Sequence, residues 1–196
     1  DSWTEAESLS DVTISNSHAR LGAVNNNNIH FANSMGELSW KGSETRMGSA
    51  QNVNIENSWL YMGSIDTNIS EMEINNSVIE ASVELEYWDD VTWNNITINN
   101  SATDLSVGEV EINNMMISNV GFPIALSFSF DEVDPYVSSG RLSFSTVIMN
   151  NVTIEDSHIT RFHINNSEMN NVTIEDSHIE YLRVISGEMN NVQIIN

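Results

Sequence analysis

From residue 149 onward, residues suited to an interior recur at every fifth position. One series runs Val152, Ser157, Phe162, Ser167, Val172, Ser177, Leu182, Gly187 and Val192. A second lies two residues later, at Ile154, Ile159, Ile164, Met169, Ile174, Ile179, Val184, Met189 and Ile194. One polar residue separates the members of each pair, among them Thr153, His158, Glu168 and Gln193. This in–out–in order is the period of a strand, here only three residues long. The two residues between triplets are mostly Asn-Asn or Glu-Asp, which favour turns. Four such units span 20 residues, the interval at which "MNNVTIEDSHI" of 149–159 returns at 169–179, before "MNNVQIIN" at 189–196. A spacing of five cannot hold one face of a 3.6-residue helix, and Asn pairs with Val, Ile and Thr are poor helix formers.

The pattern predicts an all-β protein, a β-solenoid (parallel β-helix) with about 20 residues per coil and stacked short strands. It extends backward with slippage through "VTISNSHA" (12–19), "VNIENSWL" (53–60), "MEINNSVI" (72–79), "ITINNS" (96–101) and "VEINNMMI" (110–117). Val110 and Val152 lie about two coils apart on this template, which gives roughly nine coils in all. Residues 1–10 read as an N-terminal arm and 11–196 as a single solenoid domain. Residues 121–140 read as an irregular insertion, holding Pro123, Pro135 and an alternation of Leu126, Phe128 and Phe130.

The five-residue period resembles that of pentapeptide-repeat proteins, which form right-handed four-sided β-helices. This chain departs from their usual unit, with Ile or Met at the central position and Thr, His or Glu between the inward pair. Phrases such as "NNVTIEDSHI" also resemble the right-handed parallel β-helices of pectate-lyase-type and adhesin proteins. Both likenesses imply architecture rather than activity.

Stacking at about 4.8 Å would align Asn150, Asn170 and Asn190, and likewise Asn151, Asn171 and Asn191, as amide ladders along a corner. The chain contains 28 Asn. The same stacking sets Glu155 over Glu175 and Asp156 over Asp176, like charges that repel by about 1 kcal/mol in water. Ca²⁺, which favours clustered carboxylate oxygens, is the cation such a column would take. Otherwise no cofactor is expected. His158 and His178 should stack as an outward polar row.

Composition narrows the function. Six Lys and Arg against 28 Asp and Glu give a net charge of −22, which disfavours nucleic acid and anionic membranes as partners. There is no Cys, hence no disulfide or thiolate chemistry. No apolar run approaches the 18 residues or so of a membrane span. No Ser-His-Asp set, phosphate loop or zinc spacing appears, and "WDD" at 88–90 is the nearest approach to an acid–base cluster. An enzyme is not expected. "DSWTEAESLS" reads as a mature end left by signal-peptide cleavage, hence an extracellular or cell-surface location.

The chain closes on an apparent coil strand with no cap, and "SDVTISNSHA" offers a matching triplet near the other end. Unlike ends in head-to-tail contact give open filaments or large rings. The expected function is therefore that of a structural subunit of a fibre, sheath or surface layer. Its partners are copies of itself in a homopolymer, and Val12, Ile14, Val192, Gln193 and Ile194 form the assembly interface. In type this resembles the amyloid-like tubular sheath proteins of methanogenic archaea. Two alternatives come from other classes: an acidic DNA mimic that binds a topoisomerase, and a β-helix domain of a carbohydrate-active enzyme or adhesin.

Overall fold

The computed structural model describes residues 2–42, 47–84, 90–121 and 140–195, with side chains omitted at 2–6, 65, 83 and 84. The described chain is all β, a parallel β-solenoid of about eight turns without a helix. Two ladders of short strands run side by side. One stacks β3 (Met35–Lys41), β5 (Trp59–Ile65), β7 (Val78–Glu84), β9 (Ala102–Gly108) and β11 (Gly140–Ser145). The other stacks β4 (Gly48–Glu56), β6 (Thr67–Asn75), β8 (Thr92–Asn99), β10 (Glu111–Ser118) and β12 (Ile148–Glu155). Long strands that turn corners without leaving the sheet join the two ladders. They are β1 (Ser2–Ser15) and β2 (His18–Ala32) at one end, and β13 (His158–Glu175) and β15 (Leu182–Ile195) at the other. The two-residue β14 (His178–Ile179) completes the set. β1 pairs with β2 from Ser2 onward, so residues 2–10 lie in the same strand as 11–15.

Register shows how the sequence slips and recovers. Val12, Ile29, Val53, Met72, Ile96, Met115, Val152, Val172 and Val192 form one inward column. Ile14, Phe31, Ile55, Ile74, Ile98, Ile117, Ile154, Ile174 and Ile194 form the next. Successive members of either column lie 17, 24, 19, 24, 19, 37, 20 and 20 residues apart. Met115 pairs directly with Val152, so the interval 110–152, expected to hold two coils, crosses a single turn of the stack. The three turns of 24 or 37 residues contain 43–46, 85–89 and 122–139, which lie outside the described residues. The expected insertion at 121–140 falls almost wholly there, as do Trp88 and Asp89.

The expected three-residue strands are longer in the structure, because a corner need not break the ladder. Two corners of each rung place one residue in the left-handed region. Asn151 (φ 56°) and Asn171 (φ 55°) adopt it, while Asn150 and Asn170 beside them stay extended and paired. Two such corners five residues apart recur on eight rungs: Asp11/Asn16, Asn28/Asn33, Asn52/Asn57, Glu71/Asn76, Asn95/Asn100, Asn114/Asn119, Asn151/Asp156 and Asn171/Asp176. Asn and Asp tolerate this conformation better than other L-residues do, because their short side chains bond locally. That preference accounts for much of the asparagine excess.

The core is a continuous apolar rod. Ile55, Leu38, Leu60, Ile112, Ile117, Leu142 and Ile154 are fully buried, and Phe144 and Phe162 meet edge to face at 6.0 Å between ring centroids. Each such side chain contributes about 1.5–3 kcal/mol through burial. Trp40 and Trp93 lie inside at 1% and 3% exposure, so these two tryptophans serve packing rather than a surface platform. Glycine fills a rung where a side chain cannot fit: a Cβ on Gly121 (φ 87°) would lie 1.7 Å from the His158 carbonyl oxygen.

Candidate assembly surfaces and polar columns

Three polar columns run parallel to the apolar ones. The first is inside. Ser17, Ser34, Ser58, Ser77, Ser101, Ser157 and Ser177 each follow a left-handed corner residue and turn the hydroxyl inward. Each hydroxyl donates to the carbonyl two residues back, at 2.7–2.8 Å. Each from Ser34 to Ser101 also accepts the backbone N–H of the serine one rung earlier, at 3.1–3.3 Å. Val120 interrupts the series, and its N–H is held by Ser157 Oγ at 3.2 Å. Buried backbone donors need partners, and this column supplies them where the turning chain leaves the sheet. Sequence reasoning placed Ser157, Ser167 and Ser177 inward without seeing this role. The recurring Asn-Ser and Asp-Ser dipeptides are the signal that marks it.

The second column is the expected asparagine ladder along one corner. Asn191 donates to Asn171 at 2.8 Å, Asn171 to Asn151 and Asn151 to Asn114 at 3.2 Å, and Asn114 to Asn95 at 3.1 Å. Glu71 breaks the run; beyond it Asn52 donates to Asn28 at 3.0 Å and Asn28 to Asp11 at 2.8 Å. Alongside it, Asn190, Asn170, Asn150, Asn113 and Asn94 form a third column at 2.9–3.1 Å per step. Asn76 also donates to Asn57, one corner away. The Asn28 amide, and after it the Ser10 hydroxyl, donate to the Asp11 carboxylate and hold its pKa below the ordinary aspartate value.

The acidic residues expected to stack do so in register. Glu155 pairs with Glu175 across the β12–β13 ladder, and Asp156 and Asp176 occupy successive left-handed corners (φ 47° and 46°). Asp156 and Asp176 border a shallow surface depression with Asn119, Ser157, His158 and His178. The His158 and His178 rings lie on successive rungs at 5.2 Å between centroids, tilted by 45°. Asp90, the described member of the expected acid cluster, borders a different shallow depression with Glu109 and Glu111.

The residues expected to form an assembly interface lie on the first and last described rungs. At the C-terminal rung, Val192, Gln193 and Ile194 pair with Val172, Thr173 and Ile174 below them. Among the described residues no strand pairs with the far side of β15. Its inward column is therefore open: Leu182, Val184, Met189 and Ile194 are 44%, 40%, 57% and 60% exposed. At the opposite rung, Val12 and Ile14 are partly buried against the core, and β1 pairs on one side only among the described residues. The two ends carry the same Val-x-Ile order in the same columns.

No family model matches the chain, and no curated protein matches it.

Proposed function

We propose that the protein is a structural, self-assembling component of an extracellular fibre, sheath or surface layer, in which copies stack end to end and continue one another's sheets. The rung at 182–195 supports this reading. It presents an apolar column and, among the described residues, a backbone edge that no strand pairs, and the rung with the same columns is Val12-Thr13-Ile14 of a second copy. An edge of this kind recruits a strand unless charge or proline blocks it, and neither occurs between Met189 and Ile195. Contact between unlike ends is heterologous, so the product is an open filament or, where the rotation closes, a large ring. The net charge of −22 favours separate chains at low ionic strength, and counter-ions relieve that repulsion. The reading assigns no catalytic group, no nucleic-acid partner and no membrane insertion.

The test is a charge placed on the open column. Ile194 is 60% exposed in the isolated chain, so Ile194→Asp should change its stability by about 0.5 kcal/mol or less. In a stacked joint the carboxylate would be buried without a partner, at a cost of several kcal/mol. Sedimentation velocity and electron microscopy should show assemblies of the unmodified chain that grow with concentration and salt. The variant should remain monomeric with unchanged far-ultraviolet circular dichroism. An unmodified chain that stays monomeric at high concentration in every salt overturns the reading.

A further inference from the structure

We propose that His158, His178 and Glu180 bind a divalent transition-metal ion of the zinc class on the outer wall of the solenoid. The three side chains come from two adjacent rungs. His158 opens β13 and His178 opens β14, and the two pair in register. The His178 N–H donates to the Ser157 carbonyl at 2.8 Å, and the Glu180 N–H to the Ile159 carbonyl at 2.9 Å. Ile159 is fully buried and Ile179 packs partly buried beside it, so the flanking residues on both rungs face outward. The ladder thus fixes the two histidines one rung apart, and Glu180 reaches back diagonally toward His158.

The ligand atoms have already gathered. Two imidazole nitrogens and a carboxylate oxygen all lie within 4.8 Å of one another, and His158 Nε2 meets Glu180 Oε1 at 3.0 Å. Ligands at the usual zinc distances in a tetrahedron are roughly 3.3 Å apart. One pair, at 3.0 Å, is therefore close to that separation, and His178 and Glu180, both exposed, can close the rest by side-chain rotation. Among the described residues, this is the one group of three or more metal-ligating side chains so close together. The stacked Glu155, Glu175, Asp156 and Asp176 do not form another.

Donor chemistry chooses the ion. Imidazole suits Zn²⁺, Ni²⁺ and Cu²⁺, whereas Ca²⁺ and Mg²⁺ require oxygen ligands in larger number. Asp156 and Asp176 lie in the same depression and add negative potential without displacing the imidazoles. Three protein ligands leave a fourth position for water or for a group from a neighbouring molecule.

The test is titration of the full chain with ZnCl2, and separately with CaCl2, by calorimetry. One Zn²⁺ should bind per chain, more tightly than Ca²⁺. His178→Ala should weaken Zn²⁺ by roughly tenfold or more, and Glu180→Gln by less. Glu155→Gln with Glu175→Gln should leave Zn²⁺ binding unchanged. If the His178 variant fails to fold by circular dichroism, Cu²⁺ bound to the unmodified chain decides: its electron paramagnetic resonance spectrum should show coupling to two imidazole nitrogens. Zinc affinity undiminished in a folded His178→Ala chain, Ca²⁺ binding tighter than Zn²⁺, or a copper spectrum with no nitrogen coupling overturns the proposal.

Discussion

A hydroxyl group at position 157 does two jobs at once. Ser157 is 2% exposed; its Oγ donates to the Glu155 carbonyl at 2.7 Å and accepts the Val120 N–H at 3.2 Å. Ser157→Ala keeps the volume nearly constant but strands the Val120 N–H in the interior. The cost should be about 1–3 kcal/mol, read as a lower denaturant midpoint with unchanged slope. Asp11 gives a residue-scale dependence on pH. Its folded-state pKa is depressed by the Asn28 and Ser10 hydrogen bonds. Its contribution to stability is therefore complete above the ordinary aspartate value and is lost as pH falls through the lowered one. Asn28→Ala should move the Asp11 titration, followed by carboxyl carbon NMR, upward toward the ordinary range, with the Ser10 bond still holding it below. A titration unchanged in the variant would show that the amide is not the cause. Both roles depend on short polar side chains at or beside left-handed corners, and the sequence displays those residues plainly. It does not display which member of an Asn-Asn pair takes the positive φ. Asn150 and Asn151 are chemically identical, and only the direction of the chain at the corner separates them.

At the scale of an element, the corner combines two effects that substitution can separate. Asn171 adopts φ 55° and bonds to Asn151 at 3.2 Å and Asn191 at 2.8 Å through its amide. Asn171→Gly keeps the conformation and removes the ladder, for a loss of about 0.5–1.5 kcal/mol. Asn171→Ala removes the ladder and also strains the backbone, which should cost about 1–2 kcal/mol more. Thermal unfolding of the two variants side by side checks this, and equal melting temperatures would mean that the left-handed conformation carries no penalty here. The inward columns of these strands were legible wherever the repeat is regular, from Val152 and Ile154 to Val192 and Ile194. Farther back, Met115 and Val152 are neighbours across 37 residues, a pairing that spacing alone misassigned as two coils. The extra residues enter between one Val-x-Ile strand and the next, so the corners five residues apart survive while the count between rungs does not.

Over the whole molecule, nine rungs of the Val-x-Ile column at about 4.8 Å would advance a stacked filament by roughly 43 Å per copy. Fibre diffraction or cryo-electron microscopy of assembled material should show the short spacing along the axis together with that longer repeat. An axial subunit repeat far from it would exclude continuation of the register from one copy into the next. The Val-x-Ile order of the outermost described rungs, at Val12, Ile14 and Val192–Ile194, was legible because alternation is a property of pattern; that these rungs form an assembly surface is our proposal. The His158–His178–Glu180 cluster was not legible, since Glu180 reaches its partner diagonally across rungs and no linear spacing encodes that approach. The duplicated segment has a further consequence. Met149–Ile159 and Met169–Ile179 have the same residues, and their side chains meet the same kinds of neighbour above and below. An in-frame slip during copying that added or dropped one 20-residue unit would leave every remaining column matched, and the product would differ by a single step of about 4.8 Å in height. Length in such a molecule is a graded trait, open to change by slippage that would ruin a globular domain, while its cross-section stays the same.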